Sequence, residues 1–223
     1  LGYIKRTPLA DFRQQGRGGV GAKASAARDE DFIEYVHQAN MHSTMMFFTE
    51  QGRLYWTKVY ELPEGNRQSK GRALQNMINI QKGDKVCAFI HVKNLNDMEY
   101  VQNHYLIFAT KDGLMKKTTL ESYSRPRANG IIALGLREGD RLIRVTLTDG
   151  NSQMLVASYN GKVVRFPEDT VRPMGRTATG VRAIKLDEDG QDRVIGMICV
   201  EEGSKESVLV ISEKGFGKRT DLD

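Results

Sequence analysis

Basic residues recur in this chain at repeating positions, and phosphate is the group they suit. Lys58, Lys116–Lys117, Arg165 and Lys218–Arg219 each follow an apolar segment and a turn closed by Gly, and Lys5–Arg6 belongs to a unit that lacks its first half. A second set trails the first: Arg67, Lys70 and Arg72, then Arg125 and Arg127, then Arg172, Arg176 and Arg182. Arg53 and Lys162, beside two of the turns, complete the array. Cations spaced regularly along a surface neutralise successive phosphates and release their counterions, which gives affinity for a polyanion whatever its sequence. For any single unit the plainer reading is a solvated basic face on edge strands, where Lys also guards against aggregation. Recurrence in every unit favours phosphate. The formal net charge of +5 permits such a partner without requiring one.

Other chemistry finds little support. Gln15–Gly16–Arg17–Gly18–Gly19–Val20–Gly21 formally satisfies a dinucleotide fingerprint, but no strand–helix unit surrounds it. No Lys-Ser or Lys-Thr pair follows those glycines, which excludes a nucleotide-binding P-loop. What remains is an exposed loop whose backbone amides and Arg17 can approach a phosphate closely. His37, His42, His91 and His104 share no ligand-like spacing, and no Ser/His/Asp set or paired-acid motif stands out. We therefore expect no catalytic residue, metal or cofactor in this chain. Cys87 and Cys199 lie inside apolar runs without paired spacing and read as reduced thiols of a cytoplasmic protein. No apolar run has the length of a membrane span. Tyr55–Trp56 and Tyr123 read as core or corner residues, so duplex backbone is a better partner than unstacked single strands. No base-reading helix is apparent, so preference among duplexes should follow their ease of bending.

The elements that must position these cations are short strands. Turn glycines at Gly2, Gly52, Gly113, Gly161 and Gly215 recur at steps of roughly 50–60 residues, the scale of a repeat array. Further glycines at Gly21, Gly71, Gly130 and Gly180 trail them at a nearly fixed offset. A third mark, Lys82–Gly83–Asp84–Lys85–Val86 and Glu138–Gly139–Asp140–Arg141–Leu142, precedes each new apolar run, with a looser copy from Asp189 to Val194. Runs such as Val86–Val92 and Val194–Val200 have strand length and β-branched composition. Leu54–Leu62 could hold a helix by pattern, but Val, Tyr, Trp and Thr argue for strand. Asn160–Gly161 and Lys111–Asp112–Gly113 supply the positive backbone dihedrals that a two-residue hairpin turn needs. Each unit then holds about four strands, one blade of an all-β radial array. The units are expected at 1–27 (partial), 28–81, 82–137, 138–190 and 191–223 (partial), forming a single domain over 1–223. Because the chain starts and stops within a unit, we expect a fragment of a larger subunit.

The stretch from Gly2 to Gly21, with Phe12 and the glycine loop, resembles the start of the C-terminal domain of the gyrase/topoisomerase IV A-subunit family. Lys58–Val59–Tyr60–Glu61–Leu62–Pro63, Lys116–Lys117–Thr118, Val171–Arg172–Pro173–Met174–Gly175, Thr179–Gly180–Val181–Arg182 and Gly217–Lys218–Arg219–Thr220 extend the resemblance along the whole chain. The loop is similar to the family's box, normally Gln-Arg-Arg-Gly-Gly-Lys-Gly, and departs from it at Gly16 and Val20. The box favours gyrase over topoisomerase IV. The resemblance implies a β-pinwheel that binds and bends duplex DNA around its edge, with the box needed for right-handed wrapping. It further implies that ATP, Mg2+ and strand cleavage belong to other parts of an A2B2 holoenzyme, and that this domain serves negative supercoiling. Two alternatives stand beside it: a topoisomerase IV-type domain, or a decayed gyrase one, that bends DNA and selects substrate topology without a full wrap, and a propeller serving as a protein-interaction platform.

Overall fold

A computed structural model describes residues 2–12, 17–18, 33–66, 68–188, 190–212 and 214–221. In chain order the first strands are β1 (Tyr3–Ile4), β2 (Thr44–Thr49), β3 (Arg53–Lys58), β4 (Arg72–Ala73) and β5 (Val86–Val92). A short helix, α1 (Met98–Asn103), precedes β6 (Tyr105–Thr110), β7 (Leu114–Thr119), β8 (Ile131–Ile132), β9 (Leu142–Thr148) and β10 (Ser152–Ser158). The chain continues through β11 (Val163–Pro167), β12 (Val181–Arg182), β13 (Val194–Glu201), β14 (Ser207–Ile211) and β15 (Gly217–Asp221). The sequence pattern does not anticipate α1, whose first turn is capped by Asp97 accepting from the Tyr100 amide at 3.1 Å. Leu54–Leu62 continues β3 into a single 3-10 turn, as its β-branched composition requires.

Four sheets are built on an antiparallel hairpin: β2–β3, β6–β7, β10–β11 or β14–β15. The turns are longer than the two residues expected. Gly52, Gly113, Gly161 and Gly215 each stand fourth in the turn and donate to the carbonyl of Thr49, Thr110, Ser158 or Ser212 at 2.9–3.2 Å. Gly2 does not belong to this series; it precedes β1, and its carbonyl accepts from the Leu74 amide. A third strand then joins the hairpin: β5 beside β2, β9 beside β6, β13 beside β10. The Gly-Asp mark is what ties it there. Asp84 accepts from the amides of Gln51 and Lys85, Asp140 from Asp112 and Arg141, and Asp192 from Asn160 and Arg193, all at 2.8–3.1 Å. One carboxylate thus pins the hairpin turn to the start of the third strand.

Three sheets receive a two-residue outer strand from the following unit. β4 pairs with β1, β8 with β3 and β12 with β7, giving the orders β1–β4, β5–β2–β3–β8 and β9–β6–β7–β12. The expected units 82–137 and 138–190 do enclose four strands each, but these do not form one blade: the first and the fourth, β5 and β8 or β9 and β12, join the hairpin of the preceding unit, and the fourth is a strap that closes its open edge. The remaining sheets are β13–β10–β11 and β14–β15. The third strands β5, β9 and β13 neighbour one another at the centre, so the straps lie on the outside of the array. Sheets stack face to face, and alternate residues of one strand enter different cores. Leu106 and Phe108 of β6 pack with Met46, Phe48 and Leu142, whereas Ile107 and Ala109 pack with Met154, Val156 and Met197. Both faces are buried, which is why these strands read as continuous apolar runs.

The trailing glycines make the hand-over possible. Gly71, Gly130 and Gly180 immediately precede β4, β8 and β12 and have φ of 74°, 66° and 104°. A Cβ on Gly180 would lie 2.4 Å from the Met115 carbonyl oxygen of the receiving sheet; on Gly130 it would lie 2.6 Å from that of Leu54. Only glycine can pass here. Gly180→Ala combines a left-handed non-glycine residue with a backbone clash and should cost about 2–4 kcal/mol in denaturant titrations. Gly175→Ala, with open space around its Cβ and no positive φ, should stay within about 0.5 kcal/mol.

Candidate nucleic-acid interface

The straps and the loops that feed them carry exposed cations. Lys70 and Arg72 lie on the first, Arg125 and Arg127 on the second, and Arg172 and Arg182 on the third, all outside the core and open to water. Residues 65–73, 122–132 and 171–182 contain no Asp or Glu. Since the straps are the outermost strands, the outside of the array presents three acid-free basic arms. Each is anchored by main-chain pairing. For the third arm, the Met174 amide donates to the Lys117 carbonyl at 2.8 Å before β12 pairs with β7.

The cations of the hairpin strands do something else. Lys116 is fully buried, and its Nζ donates to the carbonyls of Ala133 at 2.6 Å and Arg176 at 2.5 Å and to the Tyr123 hydroxyl at 3.3 Å. It lies 4.8 Å from the centre of the Phe108 ring. Burial, reinforced by the Arg176 charge, pushes its ammonium down to about 7. Lys117 is 4% exposed and pairs with the fully enclosed Glu168 carboxylate at 2.9 Å, while Glu168 also accepts from Thr148 Oγ1 and the Ser152 amide. Neither lysine can reach a phosphate, so both leave the expected rim. A Lys pair on a strand reads as surface, and nothing local in the sequence marks the buried Glu168 as a partner.

Lys5, Arg6, Arg53 and Lys58 are half-buried and engaged with the protein itself. Lys5 Nζ donates to the carbonyls of Asn66 and Ser69 at 2.9 and 2.7 Å, and burial lowers its pKa. Arg6 contacts Glu64 at 2.7 Å and the Leu62 carbonyl at 2.9 Å. Arg53 Nη2 donates to the Asn129 carbonyl at 3.0 Å, and Lys58 Nζ to Thr44 Oγ1 at 3.0 Å. A common rule emerges. In all three strap hand-overs a cation of the receiving sheet (Lys5, Arg53 or Lys116) donates to a carbonyl of the arriving loop.

Pairing also corrects the alignment of these cations. Ile4, Leu54 and Met115 each lie opposite a strap residue in their sheets. Lys5, Tyr55 and Lys116 therefore occupy one position and Arg6, Trp56 and Lys117 the next. Lys58 lies further along its strand and is not their equivalent. Arg176 is half-buried, with its backbone carbonyl held by Lys116. Lys162 is exposed and paired with Asp187, and Arg165 shares a shallow groove with Glu201 and Glu202. Lys218 and Arg219 are exposed on β15. In the box, Arg17 and Gly18 are exposed; Gln15, Gly16, Gly19, Val20 and Gly21, like Arg67, lie outside the described residues. Sequence reasoning also missed the structural work of Asp84, Asp140 and Asp192, although the repeated Gly-Asp mark was the available signal.

The thiols of Cys87 and Cys199 are unpaired and pushed up to about 12 by burial, then by neighbouring carboxylates. Such thiols are inert at neutral pH. Among the described residues, no cluster of three or more His, Cys, Asp or Glu side chains has the arrangement of a metal site. None of their helices is long and apolar enough to cross a membrane.

Radial sheets joined by exchanged edge strands, with basic outer arms, define a class of propeller-like domain. A solved C-terminal domain of DNA topoisomerase IV superposes with a TM-score of 0.79 at 26% identity, covering 99% of this chain and 65% of that one. A DNA gyrase A C-terminal domain gives 0.73 at 24% identity, covering 99% and 69%, and speaks for the fold. The chain belongs to the DNA gyrase C-terminal domain, beta-propeller family, whose model matches residues 1–40, 43–93, 104–149, 153–201 and 206–223. Among curated relatives, the DNA gyrase A subunit of Salmonella typhimurium is 45% identical over the whole chain, and that of Staphylococcus aureus 41% over 99% of it. The chain spans 24% of the length of either relative.

The paired burial of Lys117 and Glu168 carries a prediction. Lys117→Met leaves a dry carboxylate without its cation and should cost about 3–5 kcal/mol. Adding Glu168→Met removes the stranded charge and should recover much of that loss. Denaturant titration of both variants reads the difference.

Proposed function

We propose that this chain is the DNA-wrapping part of a DNA gyrase A subunit. It bends duplex DNA along its strap arms and supplies no catalytic group. In the holoenzyme, A2B2 with gyrase B, that wrap presents a DNA segment for ATP-driven passage and so introduces negative supercoils. ATP and Mg2+ act elsewhere in the assembly, in the bacterial cytoplasm. One observation carries the reading: three exposed, acid-free cationic arms recur on the outer edge of a chain matched along its length by the family. Lys70, Arg72, Arg125, Arg127, Arg172 and Arg182 are the residues assigned to phosphate, and Arg17 of the box loop is assigned with them.

A second reading is a topoisomerase IV-type domain that bends DNA without completing a wrap. The likeness to the topoisomerase IV domain and the loss of box cations at Gly16 and Val20 favour it. Ligating nicked plasmid with increasing amounts of the full-length protein, then measuring linking number, separates the two. A shift to positive linking difference supports right-handed wrapping; binding without a shift supports bending alone; failure to bind at low salt overturns both.

The strap assignment has its own test. Arg125→Ala with Arg127→Ala should weaken binding to all duplex sequences alike and flatten the log–log salt dependence by about 0.9 for each lost phosphate contact. An unchanged slope would take both arginines out of the interface.

A further inference from the structure

Lys116 touches no solvent, yet it is bonded to two consecutive arms. Ala133, whose carbonyl it holds, directly follows β8, the end of the Arg125–Arg127 arm. Arg176, whose carbonyl it also holds, sits within the next arm, between Arg172 and β12. The Tyr123 hydroxyl braces the same point by donating to the Ala133 carbonyl at 2.8 Å. The Gly135 amide donates to the Ala178 carbonyl at 3.2 Å, joining the two arms directly beside this point. An ammonium has three donors, and here each meets an oxygen: two carbonyls and one hydroxyl.

We propose that Lys116 is a positioning residue for the DNA surface, fixing the offset between the Arg125–Arg127 arm and the Arg172–Arg182 arm. This rests on the reading of the arms as phosphate-binding. Lys116 adds no contact to DNA; it sets the separation and angle at which two contacts are presented, and therefore the curvature the duplex must take. Two sheets earlier, Lys5 holds the first arm through the carbonyls of Asn66 and Ser69, and at the intervening position Tyr55 stands where Lys116 has its ammonium. The site is also sensitive to its proton. The groups facing the amine are the Arg176 guanidinium and the Tyr123 hydroxyl, with the Phe108 ring beneath. Burial and the Arg176 charge bring its titration down to about 7. Above that pH it keeps two donors for three oxygens, and the bridge loosens.

The test uses the full-length protein carrying this chain. Lys116→Met retains the side-chain length without donors. We expect it to keep the wild-type salt slope, because no phosphate contact is removed, while the linking difference per bound protein falls roughly two-fold or more. In wild type the linking difference should decline as pH rises from about 6.5 to 8.5 at constant binding, following the lowered titration of a buried Lys. That measurement needs no variant and decides the matter if Lys116→Met does not fold. A wild-type protein that binds DNA without a linking shift overturns the wrapping reading, and this inference with it. A wild-type shift that is flat in pH overturns the inference alone, as does a folded Lys116→Met that matches wild type.

Discussion

The hand-over of one short strand to the neighbouring sheet is the constraint on which the rest of this structure depends. A sheet of three strands leaves a row of backbone donors and acceptors at its outer edge, and such an edge invites pairing with other chains. Here β4, β8 and β12 fill those rows in the preceding sheets. Each strap is only two residues long, so little ladder is gained for the loop that must be ordered. Glycine at 71, 130 and 180 lets the backbones meet, and a cation of the receiving sheet anchors the arriving carbonyls. Neighbouring sheets are thereby joined by main-chain bonds as well as by apolar packing.

This arrangement assigns the basic residues to two separate tasks. Lys116 and Lys117 are withdrawn from water, which is costly for a charge unless its hydrogen bonds are replaced. The Ala133 and Arg176 carbonyls do so for Lys116, and Glu168 does so for Lys117, with Thr148 and the Ser152 amide completing the carboxylate's own set. The strap cations keep their hydration and face outward. No acid within an arm cancels their charge.

Much of the architecture is legible in the chain. Turn glycines, trailing glycines and the Gly-Asp mark recur because each does one structural job per unit, and the short apolar runs between them could only be strands. The hairpin cations are the weak point. Residue type and spacing align Lys58 with Lys116 and Arg165, whereas pairing gives the Lys116 and Lys117 positions of that unit to Tyr55 and Trp56. The same pattern puts Lys116 and Lys117 on the rim, because alternation along a strand tells which residues share a face but not what covers that face.

The all-β repeat, the strand-length elements, the glycine positions and the acid-free basic segments are all written in the sequence, since each follows from local backbone conformation or composition. Which unit completes which sheet, which lysines are dry, and that Glu168 answers Lys117 are settled only when the chain is folded. Those are matters of long-range pairing and burial. A residue's solvation depends on neighbours as far as 60 positions away, as Lys116 and Arg176 show, and no local pattern encodes that distance.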